Sequence, residues 1–203
     1  MPRPRRHAPA AVIEAAKNRF WERGYEATTV SDLEQATGLN RSSLYLHFGP
    51  KRSLFALALD QYMETFVNPL VERIVAPPPS LQGVVSYFST LKEMMLTDPG
   101  TGQRGCLLVN AIALLPDPDS ETDGRASAYR DRLRQAFANA LRGAAERYDM
   151  DEALISRRAW TLTATAFGVW ISARINPADA AELCDAVVSE VRSWDPDPSP
   201  SSS

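Results

Sequence analysis

The 203-residue chain has only two cysteines, Cys106 and Cys184, and only two histidines, His7 and His47. The cysteines stand 78 positions apart in no paired motif, which excludes a disulfide framework and fits a reducing compartment. So few thiols and imidazoles leave no ligand spacing for a zinc finger or another metal centre, and no cofactor is expected. Long apolar runs are missing too. The longest, Cys106 to Leu115, is broken by Asn110 and falls well short of a membrane span. Glu14 and Lys17 interrupt what would be a signal-peptide core behind the basic start. There is no phosphate loop and no nucleophile–base spacing, so enzyme chemistry is not expected. These absences leave a soluble cytoplasmic chain with no membrane partner. With 44% apolar residues, a chain of this length buries roughly 70% of its unfolded surface and folds without staples.

Charge is nearly balanced in total, with 22 Lys and Arg against 25 Asp and Glu, but not in its distribution. Up to Ala58 nine basic residues face five acidic ones, a net of +4, whereas the remainder has 13 against 20, a net of −7. A basic first quarter on an acidic body suits a protein that approaches a polyanion with one end only.

The 15 prolines cluster in the N-terminal tail, at Pro50, Pro69, Pro77–Pro79, Pro99, Pro116, Pro118 and Pro177, and in the tail from Pro196. Proline is expelled from helix interiors, so the stretches between are helix candidates, and most have helical periodicity. No stretch alternates with period two. The expected fold class is all-α.

The first helix is expected from about Ala8 to Arg23, with Val12, Ala16 and Phe20 on one stripe and Gly24 as its stop. Thr29 is a good N-cap for a short second helix, with Asp32 three residues on as an approximate capping box. Gly38 ends that helix, and Asn40 caps a third one of about two turns, Arg41 to His47. Only Leu44 and Phe48 share its inner face. Arg41, Ser42, Ser43, Tyr45, Leu46 and His47 point outward or sideways. Two such turns are not stable alone. A short helix, a glycine turn and a short polar-faced helix form the helix-turn-helix arrangement, whose second helix enters the DNA major groove.

Phe20, the Gly24-Tyr25 pair, Thr28-Thr29-Val30, the turn at Gly38, the run Leu44-Tyr45-x-His47-Phe48 and then Lys51 occur together between Val12 and Tyr62. In this the segment resembles the N-terminal DNA-binding domain of the TetR-like (TetR/AcrR) transcriptional regulators. The resemblance implies an α-helical homodimer with a three-helix helix-turn-helix domain, joined by a long fourth helix to a variable C-terminal domain that binds a small effector and dimerises. It makes the Thr29 helix end a phosphate anchor, Tyr45 and His47 backbone contacts, and Lys51 a phosphate contact. Arg41, Ser42 and Ser43, which open the recognition helix, become candidates for base edges. Arg41 either reads guanine O6 and N7 or meets phosphate alone. Ser42 stands where many members have glycine or alanine, so the target sequence cannot be carried over. The implied function is a DNA-binding transcriptional regulator, a repressor released from palindromic double-stranded operator DNA by a small apolar ligand. The alternative is a helical carrier or sequestering protein for apolar molecules.

The expected division is a flexible basic tail at 1–9, the DNA-binding domain at 10–58, a ligand-binding and dimerisation domain at 59–194, and a disordered Asp/Pro/Ser tail at 195–203. The fourth helix should bend near Asn68-Pro69, Arg104 to Asn110 follow a glycine-rich turn, Asp117 to Gly124 form an acidic loop, and Arg125 to Tyr148 a helix. Tyr87, Phe88, Met94, Met95, Phe167 and Trp170 are candidates for an adaptable ligand cavity, or else plain core. In the last two helices Ile155, Ala159, Leu162, Ala166, Val169 and Ala173, with Cys184, Val187 and Val191, form apolar stripes. Trp160, Thr163, Phe167 and Trp170 lie on another face. Two apolar faces need two covers, supplied either within one chain or by a symmetric contact between subunits. The resemblance favours the second, with Ile155, Leu162, Ala166, Val169, Ala173, Cys184, Val187 and Val191 at the dimer interface.

Overall fold

The structure, a computed structural model, describes residues 8–114 and 120–194. Its α-helices run in order α1 (Pro9–Arg23), α2 (Val30–Thr37), α3 (Arg41–Phe48), α4 (Lys51–Tyr62), α5 (Asn68–Val75), α6 (Leu81–Thr97), α7 (Pro99–Arg104), α8 (Leu107–Leu114), α9 (Ser120–Gly143), α10 (Glu152–Ile175) and α11 (Pro177–Ser193). No strand occurs among the described residues, and the fold class is all-α. Residues 1–7 of the basic tail, the tail from 195 and residues 117–119 of the expected acidic loop lie outside the described residues. The chain divides into two compact units. One comprises residues up to Val67 with the Cys106–Ala126 stretch, the other Asn68–Gly105 with the residues from Ser127 on. The boundary expected between residues 58 and 59 falls inside α4.

In the first unit α1 packs along α4. Val12, Ala16, Phe20 and Trp21 are buried from one side, and Leu54, Phe55, Ala58, Leu59 and Tyr62 from the other. Phe20 meets Phe55 edge-on at 5.0 Å, and Trp21 meets Tyr62 at 5.2 Å. Each fully buried side chain of this size contributes about 1.5–3 kcal/mol, enough for this pair to form a platform. The two short helices have much less. Among their large apolar residues only Leu33 in α2 and Leu44 in α3 are fully buried, so their ends must be fixed by caps as well. The α8 helix, drawn from the middle of the chain, also packs on α4. There the buried Cys106 thiol lies near Tyr62, and burial above all pushes its pKa up. Arg125, early in α9, forks onto the Asp60 carboxylate with bonds of 2.7 and 3.0 Å.

Pro69 perturbs the long helix earlier than expected. A π-helical turn, Met63–Val67, separates α4 from α5. Proline offers no N–H to the carbonyl four residues back and crowds it, and a turn widened by one residue just before Pro69 relieves that crowding.

In the second unit α6 lies against α11, and α10 packs on α11 and α7. Lys92 of α6 holds Asp185 of α11 at 2.6 Å. Two expectations are corrected here. The Pro99–Arg104 segment is helical despite its glycines. Proline suits a first helical position, and Gly102 lies so close to the Pro177 ring that an added Cβ would sit 3.3 Å from it. Likewise α9 starts at Ser120, inside the expected loop, and ends at Gly143 rather than Tyr148. A Cβ on Gly143 would fall 2.2 Å from the Pro79 carbonyl oxygen, so only glycine allows that approach.

The apolar stripes of α10 and α11 are distributed differently from the expected seam. Ile155, Leu162, Ala166, Val169 and Ala173 of α10, with Cys184 and Val191 of α11, are buried within the chain itself. Neighbouring helices of the same unit already cover them, which is why they are not at the surface. Val187 is half-buried. The large apolar residues left outside on α10 are Trp160 (48% exposed), Ile171 (51%) and Ile175 (83%). They come from other positions of the helical wheel.

Candidate nucleic-acid interface

The turn between α2 and α3 is fixed by a short series of caps. Thr29 and Asp32 form a reciprocal capping box: the Thr29 hydroxyl oxygen accepts the Asp32 N–H at 3.1 Å, and Asp32 Oδ2 accepts the Thr29 N–H at 2.8 Å. Asp32 Oδ1 also holds Arg23 at 2.6 Å, tying the end of α1 to the start of α2. Bonding to Thr29, first by the hydroxyl and then by the backbone, lowers the Asp32 pKa, and Arg23 adds to the effect. Gly38 ends α2 in the left-handed region, at φ 72°, where a Cβ is costly. Asn40 Oδ1 then accepts the Ser43 N–H at 2.9 Å. Glu34 reaches across the turn from α2, and its Oε1 accepts the Arg41 N–H at 2.6 Å. Glu34 was not among the expected residues. It lies seven positions before the amide it caps, beyond the reach of any local capping pattern.

The α3 helix turns Leu44 into the core and leaves Arg41, Ser42, Tyr45, Leu46 and His47 exposed, with Ser43 half-buried. Tyr45 is 44% exposed and its ring lies beneath the Arg41 guanidinium, 5.8 Å from the centroid. The structure thus leaves these side chains exposed around α3, and Thr29 exposed at the start of α2. The chemistry of α3 is that of a polyanion reader: a cation, hydroxyls, a phenol and an imidazole, on a helix whose N-terminal amides carry partial positive charge.

Lys51 has a different surrounding from the one the resemblance implies. Its ammonium donates to the Tyr25 carbonyl at 2.9 Å and to the Thr28 carbonyl at 3.0 Å, and sits 4.2 Å from the centre of the Tyr25 ring. It clasps the α1–α2 connection to the first turn of α4. Nothing local in the sequence joins Lys51 to carbonyls 23 and 26 residues earlier.

Residues 12–58 match the sequence model of the bacterial regulatory proteins of the tetR family. Over 181 residues, 88% of this chain and 91% of the relative, the sequence is 30% identical to YezE of Bacillus subtilis (strain 168), an uncharacterized HTH-type transcriptional regulator. The chain belongs to the TetR family. It is also 31% identical over 111 residues to the HTH-type transcriptional repressor ComR of Escherichia coli (strain K12), covering 54% of this chain and 51% of ComR. The matched stretch thus spans about half the length of that repressor. Among solved structures, the TetR-family regulator CifR, as a cysteine mutant in complex with 26-bp double-strand operator DNA, superposes with a TM-score of 0.75 at 25% identity. The match covers 93% of this chain and 98% of CifR. The TetR family is made up of transcriptional regulators rather than enzymes.

In the second unit of this TetR-family chain, Tyr87, Phe88, Met95 and Trp170 are buried, and Met94 and Phe167 are half-buried. Tyr87 and Phe88 meet at 5.2 Å and both pack on Phe137. Phe167 stacks on Tyr129 at 5.5 Å. Met95 Sδ lies beside Gly102 of α7, and the Trp170 carbonyl beside Gly105. The six candidates therefore fall into several ring and sulfur contacts rather than one wall. Cys184 is buried, and burial above all pushes its thiol up to about 12, so it stays protonated. No helix of the described residues is long and apolar enough to cross a membrane.

Proposed function

We propose that this protein is a dimeric transcriptional repressor that binds double-stranded operator DNA through α3 and is released by a small apolar effector. The observation that carries the reading is the outward surface of α3, where Arg41, Ser42, Tyr45 and His47 are exposed on a helix held by Leu44 and two caps. The operator complex of CifR supports the same use here. Arg41, Ser42 and Ser43 approach base edges, Tyr45 and His47 the sugar-phosphate backbone, and the N-terminus of α2 at Thr29 a phosphate. Lys51 serves this surface as a brace before it serves as a charge.

Two α3 helices related by a two-fold axis read half-sites about one helical turn apart, so the operator is an inverted repeat. Trp160, Ile171 and Ile175, which lie within about 60° of one another around α10, supply the apolar seam, with Val187 of α11 at its side. The second unit holds the effector among its aromatic and methionine side chains. Release requires that the effector bind one state of the dimer more tightly than the other. In this reading residues 10–58 serve DNA binding, and residues 59–194 serve the effector and the partner subunit.

Selection of duplex fragments from random DNA by the purified protein, with sedimentation of the products, tests the reading. An inverted repeat bound by two chains is the expected outcome. Absence of binding to any duplex at low salt refutes it.

A further inference from the structure

Leu46 is 81% exposed, yet it belongs to an eight-residue helix whose other outward side chains, Arg41, Ser42, Tyr45 and His47, all carry polar groups. Its angular position is specific. At about 100° per residue, Leu44 and Phe48 bracket the inward direction, and the residue midway between them points directly away from the core. That residue is Leu46. Ser42 lies about 40° from it and Tyr45 about 100°. On a helix laid in the major groove, the side chain opposite the core reaches deepest toward the base edges.

We infer that Leu46 is a specificity-determining residue that packs against the 5-methyl group of a thymine in each half-site. The inference rests on the DNA-binding reading above and adds a base to it. Leucine has neither donor nor acceptor. Over a guanine, cytosine or adenine edge it would strip water from polar atoms and return no hydrogen bond. Thymine alone among the four bases presents an apolar group in the major groove, so contact there buries carbon against carbon. The neighbouring Ser42 hydroxyl, on the same outward face, is suited to the polar edge beside that methyl. Isolated exposed leucines are common on protein surfaces. This one is set apart by its antipodal position and by its polar surroundings on the surface that meets DNA.

The test uses the full-length protein and a duplex that it selects. Each thymine is replaced in turn by deoxyuridine, which removes the 5-methyl group and nothing else. For the unaltered protein, replacement at one position per half-site is expected to weaken binding about fourfold, the factor for one buried methyl group. Replacement at the other thymines is expected to have little effect. In Leu46→Ala the same replacement should cost nothing, since the partner of the methyl is gone. The exposed position keeps the variant folded, and its unfolding midpoint checks this. Equal affinity for all uracil-containing duplexes, or a Leu46→Ala protein that still distinguishes thymine from uracil, overturns the inference while leaving DNA binding intact. A protein that selects no duplex at all overturns it together with the reading beneath it.

Discussion

Replacing Lys51 by methionine keeps the aliphatic stem and removes the ammonium, and so separates a brace from a phosphate contact. The ammonium makes two bonds to the Tyr25 and Thr28 carbonyls and a cation–π contact with the Tyr25 ring. Hydrogen bonds from a charged donor contribute about 1.5–3 kcal/mol each, and a cation–π contact about 0.5–1 kcal/mol at an accessible site. Lys51 is half-buried, so water can reach the released carbonyls and recover part of this. A net loss of about 2 kcal/mol is expected, which for a chain of this size lowers Tm by about 4–8 °C. Urea titration gives the stability, and operator binding as a function of salt gives the number of phosphates engaged. A brace lowers the midpoint and leaves the salt slope nearly unchanged. A phosphate contact leaves stability alone and reduces the slope by about one. A methionine variant of unaltered stability whose slope falls by one refutes the reasoning.

Tyr45→Ala should weaken operator binding at least several-fold in a gel-shift titration while the unfolding midpoint stays within about 0.5 kcal/mol of the parent, since an exposed side chain contributes little to the fold. Ala166→Glu places an unpaired charge where the chain itself provides full cover, at a cost of several kcal/mol, and soluble folded protein should be lost. Ile171→Glu sits on the outer face and should give folded monomers by sedimentation; a stable dimer would mean the seam lies elsewhere. The Asp32 pKa is lower in the folded chain than in an unfolded one, so its capping box adds stability above the ordinary aspartate range, near pH 3.9. That contribution is lost as pH falls through the lowered value. Asp32→Asn should flatten this acid limb of the stability–pH curve, and an unchanged limb would assign it to other carboxylates.

The helix-turn-helix was readable because its signals are local. Thr29 with Asp32, Asn40 with Ser43, and Gly24 and Gly38 as stops each act within a few residues. What the sequence left open depends on partners distant along the chain. Periodicity showed that α10 has two apolar faces, but a repeat of 3.6 residues does not say which face its own neighbours cover. The face with Ala166 went inward and the one with Ile171 outward. The Pro99–Arg104 helix was hidden by its own composition, since glycine argues for a turn until Gly102 is seen packed close against Pro177. Glu34 and Lys51 each cap groups across a turn or a helix pair, contacts that no spacing rule encodes.

The clustering of α8 with the amino-terminal helices has a practical corollary for protein engineers. A head cut from this polypeptide at residue 67 would lack the Cys106–Leu114 stretch, part of which lies against α4. Such a transplant would expose apolar surface and aggregate. Chimeras that swap operator preference between regulators need to move both segments, because the reading head is one object in space and two pieces in the gene.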